Sequence, residues 1–180
     1  MTTNGHIFFA VACAIFAKRF ELTEIIRQSD WWHLIPSVLI TCLIPDIDHP
    51  HSLIGQRLRW ISKPMFFTFG HRGFTHSLLA LIVLSIFKII FLDNIKIPDD
   101  VFQGMIIGYC SHILADVLTP AGVPLFWPYR KRFSLPLINI KKNKKIEQKI
   151  CFTLVGLLIL FPVFMPMLLK FITPLTINIF

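Results

Sequence analysis

The chain has 180 residues, of which 54% are hydrophobic and 16% charged, and its mean hydropathy is +0.66. That balance excludes an ordinary water-soluble domain and points to a membrane protein. Eighteen Lys and Arg against ten Asp and Glu leave a net charge of +8; the cations lie between apolar runs rather than among interleaved aromatics, so no nucleic acid is expected as a partner.

Taken in chain order, apolar runs fall at residues 5–17, 31–45, 76–92, 101–118 and 150–172. They predict an all-α integral membrane protein, a bundle of four to five transmembrane helices forming one domain over residues 1–180. A helix needs about 20 residues to cross the hydrocarbon, so the first two runs are short for the task. The last is long enough, but Pro162, Pro166 and Pro174 will kink or divide it. No Lys or Arg precedes the run at 7–17 and Lys18-Arg19 follow it, the reverse of a secretory leader, so the segment is expected to stay in the mature protein. Cys13, Cys42, Cys110 and Cys151 are far apart and set in apolar surroundings, which suits small buried residues rather than a thiolate metal cage or a redox pair.

Loop charge sets the expected orientation. Residues 46–75 carry four cations (Arg57, Arg59, Lys63 and Arg72) and residues 119–149 carry eight, whereas the cations at 18–30 and 93–100 are offset by acidic residues. The N-terminus and the two cation-rich segments are therefore expected in the cytoplasm, with Trp31 and Trp32 at the opposite interface. The basic segment 137–149 reads as cytoplasmic flanking charge beside the terminal span. Lys88, inside the third run, is expected to snorkel outwards.

On that topology the ionisable residues gather at one end. His6 opens the first run, Asp46, Asp48 and His49 close the second, His71, Arg72 and His76 open the third, and His112 and Asp116 close the fourth. An antiparallel bundle brings the end of one helix beside the start of the next, so these groups share one membrane depth. His112 and Asp116 are four apart and lie on one helical face, with Gly104 and Gly108 on the same stripe, where another backbone can approach closely.

Imidazoles and carboxylates in such a place suit a divalent metal, zinc foremost with manganese or iron next, as one ion or two. The candidate ligands are His6, Asp46, Asp48, His49, His71, His76, His112 and Asp116. His33 and His51 fall outside the cluster. Taken singly, the aspartates around Pro45 also fit a capped turn, and His76 a helix start. Arg72, next to the start of the third run, fits an anion contact. Residues 119–136, with Pro120, Gly122, Pro124, Pro128 and Pro136, do not suit a regular helix; their aromatic and cationic mix suits a cover over the site or a seat for a lipid head group.

The segments GHIFFAVACAIFAK, DWWHLIPS, LIPDIDHP, GQRLRWISKP, FGHRGFTHSLLA and GYCSHILADVLTPAGVPLFWP resemble the YdjM family of bacterial inner-membrane proteins, described as membrane-bound, metal-dependent hydrolases. The resemblance covers residues 1–136. It implies a multi-pass protein of the bacterial inner membrane whose His/Asp motifs hold a metal, and it carries every one of the positions Asp46, Asp48, His49, His71, His76, His112 and Asp116. The expected chemistry is metal-assisted hydrolysis at the cytoplasmic face, with Asp46 or Asp48 as base and Arg72 holding an anionic group, on a small amphiphilic or phosphate-bearing substrate such as a phospholipid or lipid-linked phosphoester. The alternative is a membrane metal-binding or ion-translocating protein without hydrolysis.

Overall fold

The computed structural model describes residues 2–92 and 97–135, together with the helical positions 149, 152, 153, 156, 157 and 160. Residues 2–92 and 97–135 form seven α-helices, and no β-sheet occurs among the described residues, so the architecture is all-α. They are α1 (Thr3–Arg19), α2 (Glu24–Gln28), α3 (Trp31–Thr41), α4 (Leu53–Arg57), α5 (Arg59–Phe69), α6 (Leu78–Phe87) and α7 (Asp99–Val117). Two 3-10 turns, Ile44–Asp48 and Phe74–His76, carry much of the polar chemistry.

Local signals set the boundaries. Hydroxyls of Thr2, Thr23, Ser52 and Ser77 accept from backbone N–H groups in the first turns of α1, α2, α4 and α6, as favoured capping residues do. Gly70, with φ +73°, ends α5 in a conformation that a side chain would strain. Pro45 opens the 3-10 turn that follows α3.

The frame is α1, α3 and α7, with α3 lying most closely on α7. The stripe read from sequence explains how. A Cβ on Gly104 would come within 2.0 Å of the Ser37 hydroxyl, and one on Gly108 within 2.4 Å of the Val38 carbonyl oxygen, so the two glycines let the α3 backbone press directly onto α7. Ala10 and Ala14 of α1 pack with Leu34 and Val38 of α3, and with Cys42 at its C-terminal end, in one buried cluster. Ala80, Tyr109, Ile113 and Val123 form a second buried cluster between α6, α7 and the following loop.

Among the described residues no helix is long and apolar enough to cross a membrane. The expected spans are cut short for visible reasons. The run at 31–45 leaves the α-helix at Thr41 and enters the Pro45 turn, and the run at 76–92 begins as a 3-10 turn and ends as the π-helical segment Lys88–Leu92. α7 has 19 residues but includes Asp99, Asp100 and Asp116. Pro136, the basic residues 137–148, Cys151 and most of the run at 150–172, including Pro162, Pro166 and Pro174, lie outside the described residues.

Residues 46–75, expected as a loop, contain α4 and α5. α5 is amphipathic but exposed: Trp60 and Phe67 project on the outside near Arg59 and Lys63, and Ser62 is its buried residue. Residues 119–135 are irregular, as their prolines require. Val123 and Phe133 exchange backbone hydrogen bonds of 3.1 and 2.9 Å, Gly122 turns at φ +59°, and the Leu125 carbonyl accepts from the Leu78 N–H. The loop is thereby fastened over the start of α6.

Candidate metal centre

The start of α1, the turn after α3, the turn before α6 and the end of α7 meet at one place. Each delivers the residue types that the sequence singles out. His6, Asp48, His76, His112 and Asp116 are almost fully buried there, and Asp46 is 21% exposed.

Asp48 organises the loop around it. Its carboxylate is completely buried and faces five donors: Nδ1 of His71 at 3.2 Å, the backbone N–H groups of Arg72 at 2.9 Å and Gly73 at 3.4 Å, the Thr75 hydroxyl at 2.7 Å and Nδ1 of His76 at 3.2 Å. Arg72 adopts φ +57°, a left-handed conformation that costs a non-glycine residue about 1 kcal/mol or more and that its N–H bond to Asp48 helps to hold. Gly73 is needed beside it, because a Cβ there would lie 2.2 Å from the Phe69 carbonyl oxygen. Burial by itself would raise the Asp48 carboxyl, but the bonds from His71, His76 and Thr75 outweigh it and hold the group well below the usual carboxylate range. At the rim, partial burial and the neighbouring His71 lower the His49 imidazole.

These bonds assign the tautomers of the central imidazoles. The Thr75 hydroxyl gives its proton to Asp48, so His76 Nδ1, which lies 3.0 Å from that oxygen and 3.2 Å from the carboxylate, must donate. His112 Nδ1 donates to the Cys42 carbonyl oxygen at 2.6 Å. With both imidazoles neutral, the Nε2 lone pairs face each other at 3.2 Å. Around them stand Asp46 Oδ1, 3.8 Å from His76 Nε2 and 3.7 Å from His112 Nε2, and Asp116 Oδ2, at 3.6 and 3.9 Å. Two lone pairs and two carboxylate oxygens converging in a buried space repel one another unless a cation sits among them. The donor set therefore fits a divalent ion, with each imidazole oriented by a bond from its far nitrogen.

Among the described residues, three overlapping groups of ligand atoms are close enough to share an ion: His76, His112 and Asp116; His6, Asp46 and His112; and Asp46, Asp48 and His76. His6 stacks on His112 with ring centroids 3.8 Å apart, its Nε2 is 3.5 Å from Asp116 Oδ1, and its buried Nδ1 has no hydrogen-bond partner. Six of the eight candidate ligands thus meet. His49 and His71 do not enter these groups. His71 is bound through Nδ1 to Asp48, His49 packs on its ring at 4.5 Å, and both line a polar cavity of about 360 Å³ that also reaches His6, Asp46 and Arg72. Arg72 donates from Nη2 to Asp116 Oδ1 at 2.8 Å, while its buried Nε has no hydrogen-bond partner.

Three contributors escape the sequence pattern. The Cys42 carbonyl is a main-chain atom and leaves no residue signature. Thr75 is legible only as a helix-start residue, yet it links Asp48 to His76. Tyr109 donates to the Thr75 carbonyl at 2.6 Å, and its signal is that it is one of only two tyrosines and lies three residues before His112. His33 pairs with Asp100 at the far end, and His51 packs against His49.

The fold and the site together define a helical protein with a buried His/Asp centre at the ends of its main helices. The chain belongs to the YdjM inner membrane protein family, whose model matches residues 1–174 and so extends past the motif-bearing residues 1–136 into the tail. It is 57% identical over 155 residues to the inner membrane protein YdjM of Escherichia coli (strain K12), covering 86% of this chain and 79% of the relative, with the same figures for the Shigella flexneri protein of that name. A Bacillus subtilis (strain 168) protein named uncharacterized protein YvsG is 34% identical over 139 residues, covering 76% of this chain and 79% of its own. No solved structure matches the chain.

Proposed function

We propose that the chain is a multi-pass inner-membrane, metal-dependent hydrolase acting at the cytoplasmic face on a phosphate-bearing amphiphile. The observation that carries the metal reading is the convergence of His76 Nε2 and His112 Nε2, 3.2 Å apart, with the carboxylate oxygens of Asp46 and Asp116. His76, His112, Asp116 and Asp46 would hold the ion, with His6 completing the set on the cavity side. A zinc, manganese or iron ion in such a place supplies Lewis acidity towards a phosphoryl or carbonyl oxygen and makes water acidic enough to ionise near neutral pH.

The residues of the chain supply the rest. Asp48 is saturated by donors, so Asp46, which lines the cavity, is the carboxylate able to take a proton from water. Arg72 reaches both Asp116 and the cavity, where its guanidinium can neutralise an anionic group under attack. Support for a membrane setting comes from family membership and from α6, where Leu78, Ile82, Val83, Ile86 and Phe87 are exposed apolar side chains that water would not favour. The cations Arg57, Arg59, Lys63, Arg130, Lys131 and Arg132 follow the helix ends that carry the site, consistent with a cytoplasmic location.

Elemental analysis of the purified chain, followed by a screen of phospholipid and phosphodiester cleavage with and without chelator, tests this. One or two divalent ions per chain and chelator-sensitive turnover are expected. Protein that stays metal-free after incubation with zinc, manganese or iron would refute the metal reading, and metal without turnover would favour the non-catalytic alternative.

A further inference from the structure

A second cavity, of about 200 Å³, lies on the other side of His71 and Arg72, and Trp127, Arg130 and Arg132 of the irregular loop complete its lining. The loop is held in place from both ends. Leu125 accepts from the first residue of α6, Leu135 donates to the Val117 carbonyl at 2.7 Å, and the Trp127 ring stands edge-on to Phe69 and Phe74, with centroids 5.8 and 5.5 Å away. Its arginines are left with little to bind. Arg132 makes one weak contact, 3.5 Å to the Ala121 carbonyl, and among the described residues neither Arg130 nor Arg132 has an acidic partner. No Asp or Glu falls between Asp116 and Glu147.

Arg130 and Arg132 bring two cations without an acidic partner to a small cavity that Arg72, itself paired with Asp116, also lines, and planar guanidinium forks match the oxygens of a phosphate. We propose that Arg130 and Arg132, with Arg72, form a phosphate subsite that seats a phosphate group of the substrate beside the metal centre. Because His71 and Arg72 line both cavities, a molecule bound here presents its adjoining part to Asp46 and the imidazoles. The substrate class follows as one with a phosphate group next to the bond under attack, from either a lipid head group or a soluble phosphate compound. This role in catalysis rests on the hydrolase reading; the binding site does not.

The test is equilibrium dialysis of the full-length, metal-loaded chain in detergent, with radiolabelled inorganic phosphate in one arm and dihexanoyl phosphatidic acid in the other. Saturable binding is expected, weakened about tenfold or more in Arg130→Gln/Arg132→Gln and unchanged in Lys131→Gln, with metal content unaltered in both. Each arginine is also replaced singly, so that misfolding of the double variant leaves a readout. Much tighter binding of phosphatidic acid than of phosphate assigns the subsite to a lipid head group, and equal binding assigns it to the phosphate alone. Absence of saturable binding in both arms, or wild-type affinity in the arginine variants, overturns the subsite. Saturable phosphate binding by wild-type chain that takes up no metal would instead sink the hydrolase reading and leave the subsite standing.

Discussion

The two ends of the α3–α7 pair use the same residue types to different effect. At the far end His33 Nδ1 meets Asp100 at 2.8 Å, with the imidazole 47% exposed, and Lys88 reaches Asp99 at 3.0 Å. At the near end three imidazoles and two carboxylates are sealed from water, and Nε2 of His76 faces Nε2 of His112 at 3.2 Å. A solvated His–Asp pair satisfies itself; a buried group of acceptors requires something from outside the chain. Burial and convergence, not the presence of His and Asp, distinguish the candidate site.

That contrast can be broken in graded steps. Replacing His76 or His112 by Ala removes a lone pair from the centre, and metal affinity should fall beyond the about 100-fold that losing an outer partner can cost. Metal titration of the purified variants measures it, and unchanged affinity in both would abolish the distinction between the two ends. Asp48→Asn comes next. It puts an amide N–H₂ among donors, so unfolding free energy should drop by about 3 kcal/mol, measured by denaturation in detergent, with a smaller loss of metal affinity.

The acid dependence follows the same group. Because the folded Asp48 carboxyl is held below its unfolded value, its contribution is present above the unfolded pKa of about 4 and is lost as pH falls from there through the folded value. Thermal melts below pH 4 should fall more steeply in the wild type than in Asp48→Asn. Gly108→Ala should cost about 1–3 kcal/mol by forcing α3 off α7, and because α3 carries the Cys42 carbonyl to His112, it should also weaken metal binding. The smallest effect belongs to the far end: His33→Ala should change stability by less than about 1 kcal/mol and metal content not at all.

Much of the near end was legible because it obeys helical spacing. Gly104, Gly108, His112 and Asp116 recur every fourth residue, and that arithmetic alone places a close helix contact and two ligands on one face. The alternation of helix ends and starts likewise brings Asp46 and His76 to the same depth. The division of labour was not legible, because it depends on backbone groups. Asp48 is occupied by the N–H groups of a loop that turns through a left-handed Arg72, and His112 is oriented by a carbonyl 70 residues away. The lengths of the helices were equally hidden: Pro45 and the π-helical end of the third run stop segments whose hydrophobicity continues. α5 escaped notice because Pro64 lies inside it and its large apolar residues face outwards instead of into a core.

X-ray absorption spectroscopy of the metal-loaded full-length chain tests the centre most directly. The geometry predicts a shell of nitrogen and oxygen only, at about 2.0–2.2 Å for zinc, with the outer scattering of at least two imidazoles that disappears in the His76→Ala/His112→Ala variant. Sulfur at about 2.3 Å, or a spectrum without imidazole scattering, would contradict it.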